Sequence, residues 1–282
     1  MHSTPASSLT ISFIGGGNMA TALIGGLAGK LTAPANLHVV EINAQAREKL
    51  HLLGVQTSAA IHADVAQSDV IVMAVKPQQM REVAAQLKPH LKGQLLLSIA
   101  AGIRAIDLSQ WLGGYGAIVR TMPNTPALIG CGITGMTALP AVTNLQRQNA
   151  DAIMRAVGTT IWLDDEALID PVTALSGSGP AYVFYFIEAM QQAGAKLGLS
   201  TEQATALSIA TFSGAAQLAA QAKEPVSVLR ERVTSQGGTT HAALMSMQED
   251  NVAQSIIRAI EAACARSIAL GKQFGDESHT VD

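Results

Sequence analysis

Ile11-Ser12-Phe13-Ile14-Gly15-Gly16-Gly17-Asn18-Met19-Ala20 is the stretch on which the fold turns. A short apolar run passes directly into three glycines, and Met19, Leu23, Ile24 and Leu27 then recur at helical spacing. The pattern is GxGxxA between a strand and a helix. Gly15 permits a tight turn, Gly17 removes the side chain that would hold a pyrophosphate off the backbone, and Ala20 lets helix and strand pack closely. The alternative is a glycine-rich turn in an α/β protein that binds nothing. A second apolar run ends at Glu41, the distance at which an acidic residue reaches an adenosine ribose. That favours a dinucleotide. A carboxylate there bonds both ribose hydroxyls of NAD and repels a 2′-phosphate, unless Arg47 reaches back to neutralise it. The alternative for Glu41 is a solvated loop residue.

Outward from this stretch, nearly continuous apolar runs recur at 11–14, 37–40, 70–75, 95–99, 118–121, 133–137 and 160–163, alternating with helical stretches. Runs without polar alternation fit strands covered on both faces. The expected fold is an α/β Rossmann-type, mostly parallel, doubly wound sheet. Beyond about Asp165 the β runs stop, and helices are expected at 168–175, 180–197, 201–223, 226–233, 240–249 and 252–271. The expected division is a small polar tail at 1–8, predicted disordered, a dinucleotide-binding domain at 9–164 and an all-α domain at 165–282. Ala74-Val75-Lys76-Pro77 closes one strand, at the end of the sheet where open α/β folds bind ligands. Lys76 there faces either cofactor phosphate or ribose, or only solvent. Arg120-Thr121-Met122-Pro123-Asn124-Thr125-Pro126 follows another strand, and its two prolines stiffen a loop that either shapes a nicotinamide pocket or merely turns the chain.

The second chemical motif is Val233-Thr234-Ser235-Gln236-Gly237-Gly238-Thr239-Thr240-His241. Adjacent glycines between hydroxyl residues lead into a helical pattern, whose first N–H groups lack intrahelical partners. This suits a small anion such as a carboxylate; the alternative is a plain Thr-capped loop.

Composition narrows the class. Of the 282 residues 48% are hydrophobic and 14% charged, so a large core and an oligomer interface can both be supplied. A net charge of −3 gives no electrostatic case for nucleic acid or an anionic membrane. Cys131 and Cys264 are far apart and form no metal-ligand spacing, so buried thiols and no metal are expected. No secretory pattern opens the chain and no apolar run is long enough to span a bilayer, which makes cytoplasmic location the expectation.

GxGNM, AVKP, MPNTPA, LSGSGPAY and VTSQGGTT, in that order, resemble the pyrroline-5-carboxylate reductase family over about 9–270. The resemblance implies NAD(P)H-dependent reduction of 1-pyrroline-5-carboxylate to L-proline, the last step of proline biosynthesis. It also implies a helical domain that dimerises by intertwining, further assembly to decamers, and active sites that include elements of the partner. By position, Thr240 matches the threonine that hydrogen-bonds the ring nitrogen. Ser235, Gly237, Gly238 and Thr239 match the carboxylate grip, and Ser176 lies in a turn, running to Pro180, that lines the substrate region. Gly15, Gly17, Asn18 and Met19 match the pyrophosphate turn, Ala74 and Lys76 a cofactor contact, and Asn124 and Pro126 the loop beside the nicotinamide. The chain departs from the family at Ile61, where some members have a cofactor-contacting Asn, and at Glu41, where NADPH-preferring members often have a hydroxyl or basic residue.

A cyclic imine that accepts hydride needs its carboxylate held and its nitrogen oriented more than it needs an acid–base dyad. Thr240 is therefore read as a positioning group, since a hydroxyl does not titrate near neutrality. His241 projects about 100° around the helix from Thr240 and is assigned to structure or surface. Glu224, beside Pro225, either helps to bind or protonate the substrate or is an exposed helix-end charge, and the second reading is preferred. A related imino- or hydroxy-acid reductase, or a non-catalytic dinucleotide-binding regulator, are the competing classes. The hydroxyacid reductases need a catalytic lysine in the helical half, and Lys196 and Lys223 are not in that setting.

Overall fold

A computed structural model describes residues 9–276; the tail expected at 1–8 lies outside the described residues. The strands are β1 (Ile11–Ile14), β2 (Leu37–Val40), β3 (Gln56–Ser58), β4 (Val70–Met73), β5 (Leu95–Ser98), β6 (Ile118–Met122), β7 (Gly132–Ala138) and β8 (Gly158–Trp162). They form one sheet in the order β3-β2-β1-β4-β5-β6-β7-β8. Every neighbouring pair is parallel except β6 and β7. The chain order reverses at β1, which lies between β2 and β4, and this switch point is where open α/β sheets bind ligands. Pairing of Ile14 with both Val40 and Met73 brings the carboxyl ends of these three strands level.

Side-chain alternation explains why the sheet is covered twice. Ile11, Phe13, Val70 and Val72 enter one core with Leu23, Ile24 and Leu27 of α1 (Asn18–Leu27) and Ile153 of a helix at Asn144–Arg155. Ile14, Ile71 and Met73 enter the other with Met80 and Ala84 of a helix at Met80–Leu87 and Leu108 of a helix at Ala105–Trp111. Each of these Val, Leu, Ile, Phe and Met side chains withdrawn from water contributes about 1.5–3 kcal/mol.

Three features depart from the sequence expectation. The edge strand β3, Gln-Thr-Ser, has no apolar run to signal it. Within the expected, mostly parallel sheet the exception is β7, which no local pattern marks: the short 3-10 turn Thr125–Ile129 sends the chain straight back beside β6. The single helix expected at 168–175 is three successive turns: a 3-10 turn Glu166–Leu168, an α turn Ile169–Val172 and a π turn Thr173–Gly177.

The described residues divide into two compact units, 9–178 with 263–276, and Gly179–Ala262. Strands end at Trp162, near the expected change at Asp165, but packing keeps the turns at 166–178 with the sheet. The second unit holds α2 (Gly179–Lys196), α3 (Thr201–Gln221), α4 (Val226–Arg232), α5 (Thr239–Glu249) and the start of α6 (Val252–Asp276). Ser200 and Gln203 form a capping box at the start of α3. Gly194 lets α2 and α3 approach closely: a Cβ there would stand 2.9 Å from that of Ala204. Yet among α2, α3 and α5 only Ala204 and Ser208 are buried, while Phe184, Tyr185 (73% exposed), Leu207 and Leu218, with Ile257 on α6, stay exposed. Within the described residues no helix is long and apolar enough to cross a membrane.

Candidate functional site

The level ends of β1, β2 and β4 open into a cleft of about 420 Å³. Gly15 turns the chain at its base with φ +101°, and its N–H donates to the Val40 carbonyl at 2.8 Å. A Cβ on Gly15 would lie 2.7 Å from the Ala74 carbonyl oxygen, so both the conformation and the contact require glycine. At Gly17 a Cβ would meet nothing within 4 Å. Gly17 is the N-cap of α1 and brings it no side-chain cap. The first N–H groups of that helix, at Asn18 and Met19, thus stand beside open space at the positive end of the dipole. That arrangement fits a pyrophosphate.

Glu41 lines the cleft and is fixed there. One carboxylate oxygen accepts from the Gly16 N–H and the other from the Asn43 N–H, each at 2.8 Å. Arg47 donates to the carbonyls of Glu41 and Ile42 at 2.7 and 2.9 Å, and it is not among the cleft walls. The rescue of a 2′-phosphate by Arg47 therefore finds its guanidinium turned to the backbone instead. Ala74, Lys76 and Ile61 all line the cleft, and Lys76 has no ion-pair partner among the described residues.

One wall is secured from behind. Ser58 donates to the Ala60 carbonyl at 3.0 Å, which spends its only proton, so His38 Nε2 donates to Ser58 at 3.0 Å. Burial pushes the His38 imidazole below its usual value, against the pull of Asp64. Sequence reasoning missed this wall because β3, which delivers it, has no apolar signature.

Asn124 and Pro126 lie outside the cleft walls. Asn124 is only 9% exposed; its Oδ1 accepts from the Ile133 N–H at 3.0 Å and its Nδ2 donates to the Ser176 carbonyl at 3.2 Å. Pro126 stands in the first turn of the 3-10 segment, where its missing N–H costs nothing. The Ser176 hydroxyl donates back to the Val172 carbonyl at 3.1 Å. Also unforeseen is a half-buried ion pair: Arg120 on β6, its side chain 4% exposed, donates to Glu166 at 2.8 Å. The same Glu166 oxygen accepts from the Ala105 N–H.

In the helical unit, Gly237 takes φ +74° and Gly238 is the N-cap of α5, again without a side-chain cap. Thr239 and Thr240 are the first two residues of that helix. The Gly238 N–H donates to the Ser235 carbonyl at 3.0 Å and closes the turn. The Gly238 N–H is thus engaged within its own turn, while the helix start at Thr239, Thr240 and His241 has no side-chain cap. The Thr234 hydroxyl is spent on the Arg230 carbonyl, while Ser235 is exposed. His241 lines a separate groove with Thr234, Leu244 and Met247, to which Thr240 does not contribute. Glu224 forms a two-pronged surface pair with Arg232 at 2.5 and 3.2 Å.

A family model described as pyrroline-5-carboxylate reductase dimerisation matches residues 166–270. A second, described as NADP oxidoreductase coenzyme F420-dependent, matches residues 10–102. A pyrroline-5-carboxylate reductase of Pseudomonas aeruginosa is 46% identical over 94% of this chain and 98% of its own. One of Arabidopsis thaliana is 35% identical over 95% of this chain and 98% of its own. Among solved structures, a pyrroline-5-carboxylate reductase from Coxiella burnetii superposes with TM-score 0.88 at 38% identity, covering 94% of this chain and 99% of that one. A pyrroline carboxylate reductase of Plasmodium falciparum with NADP bound gives 0.83 at 31% identity, covering 93% and 98%.

Proposed function

The chain belongs to the pyrroline-5-carboxylate reductase family, and from that premise we propose how its residues divide the work. It is an NAD(P)H-dependent oxidoreductase that reduces 1-pyrroline-5-carboxylate to L-proline, the last step of proline biosynthesis. The observation that carries the division is the pair of glycine-led, uncapped helix starts, at Gly17 and at Gly238. One opens into a cleft with Glu41 and Lys76; the other presents two threonines.

Gly15, Gly17, Asn18 and Met19 hold the pyrophosphate on the start of α1, and Glu41 and Lys76 hold the sugar and phosphate beyond it. When bound, NAD(P)H supplies the hydride that adds to the imine carbon. The N–H groups at the start of α5, with Ser235, hold the substrate carboxylate. The Thr240 hydroxyl fixes the ring nitrogen, and the Ser176 turn borders the ring. Thr240 orients rather than titrates, because its pKa is far above neutrality. Glu41, already bonded to two backbone N–H groups, favours NADH: its carboxylate occupies the donors that a 2′-phosphate would need, and repels that phosphate.

The segment at 165–282 serves self-association and substrate binding, the segment at 9–164 the dinucleotide. Self-association is a property of the helical part. The exposed Phe184, Tyr185 and Ile257 supply apolar area for a dimer, and a decamer and a cytoplasmic location complete the proposal. Oxidation of NADH and NADPH followed at 340 nm (the reduced nicotinamide band) with 1-pyrroline-5-carboxylate tests it; substrate-dependent loss of absorbance supports it, and its absence with both cofactors overturns it.

A further inference from the structure

The π turn at Thr173–Gly177 ends where the chain reaches Pro180. In a regular helix the Ser176 carbonyl would accept from the N–H four residues on. That residue is Pro180, which has none. The missing donor arrives from another element: Asn124 Nδ2, on the loop after β6, donates to this carbonyl at 3.2 Å. The same amide accepts from the Ile133 N–H at the start of β7. One buried side chain therefore joins three segments: the β6 loop, β7 and the wide turn that carries Ser176. Packing adds to the joint, since a Cβ on Gly177 would stand 2.5 Å from Met122 Cε. A π turn inserted in a helix is rare and frequently marks a functional site.

We propose that Asn124 is a positioning residue of the reduction, with no contact to cofactor or substrate of its own. Its amide sets the spacing between the β6 loop and the Ser176 turn, and that spacing sets how the substrate ring is held. The assignment rests on the placement of the Ser176 turn beside the substrate proposed above. The cleft around Gly15, Glu41 and Lys76 does not include Asn124, so on this reading the pyrophosphate and ribose contacts stay in place when Asn124 is changed.

The test is a cycle of Asn124→Ala, Pro180→Ala and the double variant, assayed beside the wild type. Asn124→Ala raises KM for 1-pyrroline-5-carboxylate roughly tenfold or more, the scale expected for a displaced binding wall. KM for the dinucleotide stays within about twofold. Pro180→Ala restores a backbone N–H for the Ser176 carbonyl, so the double variant shows a smaller KM increase than Asn124→Ala does. If Asn124→Ala fails to fold, Asn124→Asp replaces it, keeping the acceptor for Ile133 and exchanging the donor for a charged acceptor oxygen that repels the Ser176 carbonyl. An inactive wild type would refute the proposed reaction, not this joint. An active wild type with an unchanged substrate KM in the variant would overturn the joint, even if kcat fell. So would a KM increase that the double variant does not relieve.

Discussion

Replacing Glu41 with Gln removes one negative charge from the cleft while keeping side-chain size. A 2′-phosphate carries about two negative charges, and at roughly 5 Å from the carboxylate the repulsion runs from about 1.7 kcal/mol in water to about 6.6 at an effective dielectric of 20. Glu41 is partly exposed, which places the value near the low end, about 2 kcal/mol or roughly 30-fold. The carboxylate also bonds the ribose of NADH in the proposed complex, and losing that costs about 1 kcal/mol, near fivefold. The two effects act in opposite directions on the two cofactors. The ratio of kcat/KM for NADPH to that for NADH should therefore rise about a hundredfold. The assay is steady-state oxidation of each cofactor at saturating 1-pyrroline-5-carboxylate, at low and at physiological salt, since screening weakens the term. A ratio that changes by less than threefold would refute the reasoning.

Thr240→Ala should lower kcat by roughly ten- to a hundredfold with dinucleotide affinity unchanged, checked by fluorescence titration; wild-type kinetics would remove Thr240 from the site. Gly15→Ala places a Cβ 2.7 Å from the Ala74 carbonyl oxygen at φ +101°, so it should cost about 1–3 kcal/mol and lower Tm as well as dinucleotide affinity. Gly17→Ala meets open space and should weaken dinucleotide binding with Tm unmoved. Glu166→Ala leaves the Arg120 charge buried and unpaired; with Glu166 itself 26% exposed, a loss of about 2–3 kcal/mol is expected. In a chain of this size that lowers Tm by about 5–10 °C by calorimetry, and a change under 2 °C would contradict it.

The readable parts of this chain are those where one residue type has one physical use. Apolar runs such as Val70–Met73 are covered on both faces and announce themselves, and Gly15 announces a turn that only glycine can make. Thr239 and Thr240 after paired glycines likewise mark a helix start. Other parts depend on tertiary partners that no local pattern carries. β3 is three polar residues held by backbone pairing to β2. The antiparallel course of β7 follows from a short turn, and the π turn follows from a proline four residues beyond Ser176 together with an amide 52 positions earlier. Glu41 was legible as an acidic residue at the end of a strand. Its grip on the Gly16 and Asn43 N–H groups, and the turn of Arg47 toward carbonyls, were not. The Gly238 N–H, expected to face a ligand, is needed to close its own turn.

The most direct test of the whole account is the initial rate of NADH and of NADPH oxidation by the purified chain with 1-pyrroline-5-carboxylate, with L-proline identified as product. The account predicts stoichiometric L-proline, with kcat/KM greater for NADH than for NADPH. Cofactor oxidation without L-proline, or none with either cofactor, would contradict it; faster turnover with NADPH would contradict the role given to Glu41.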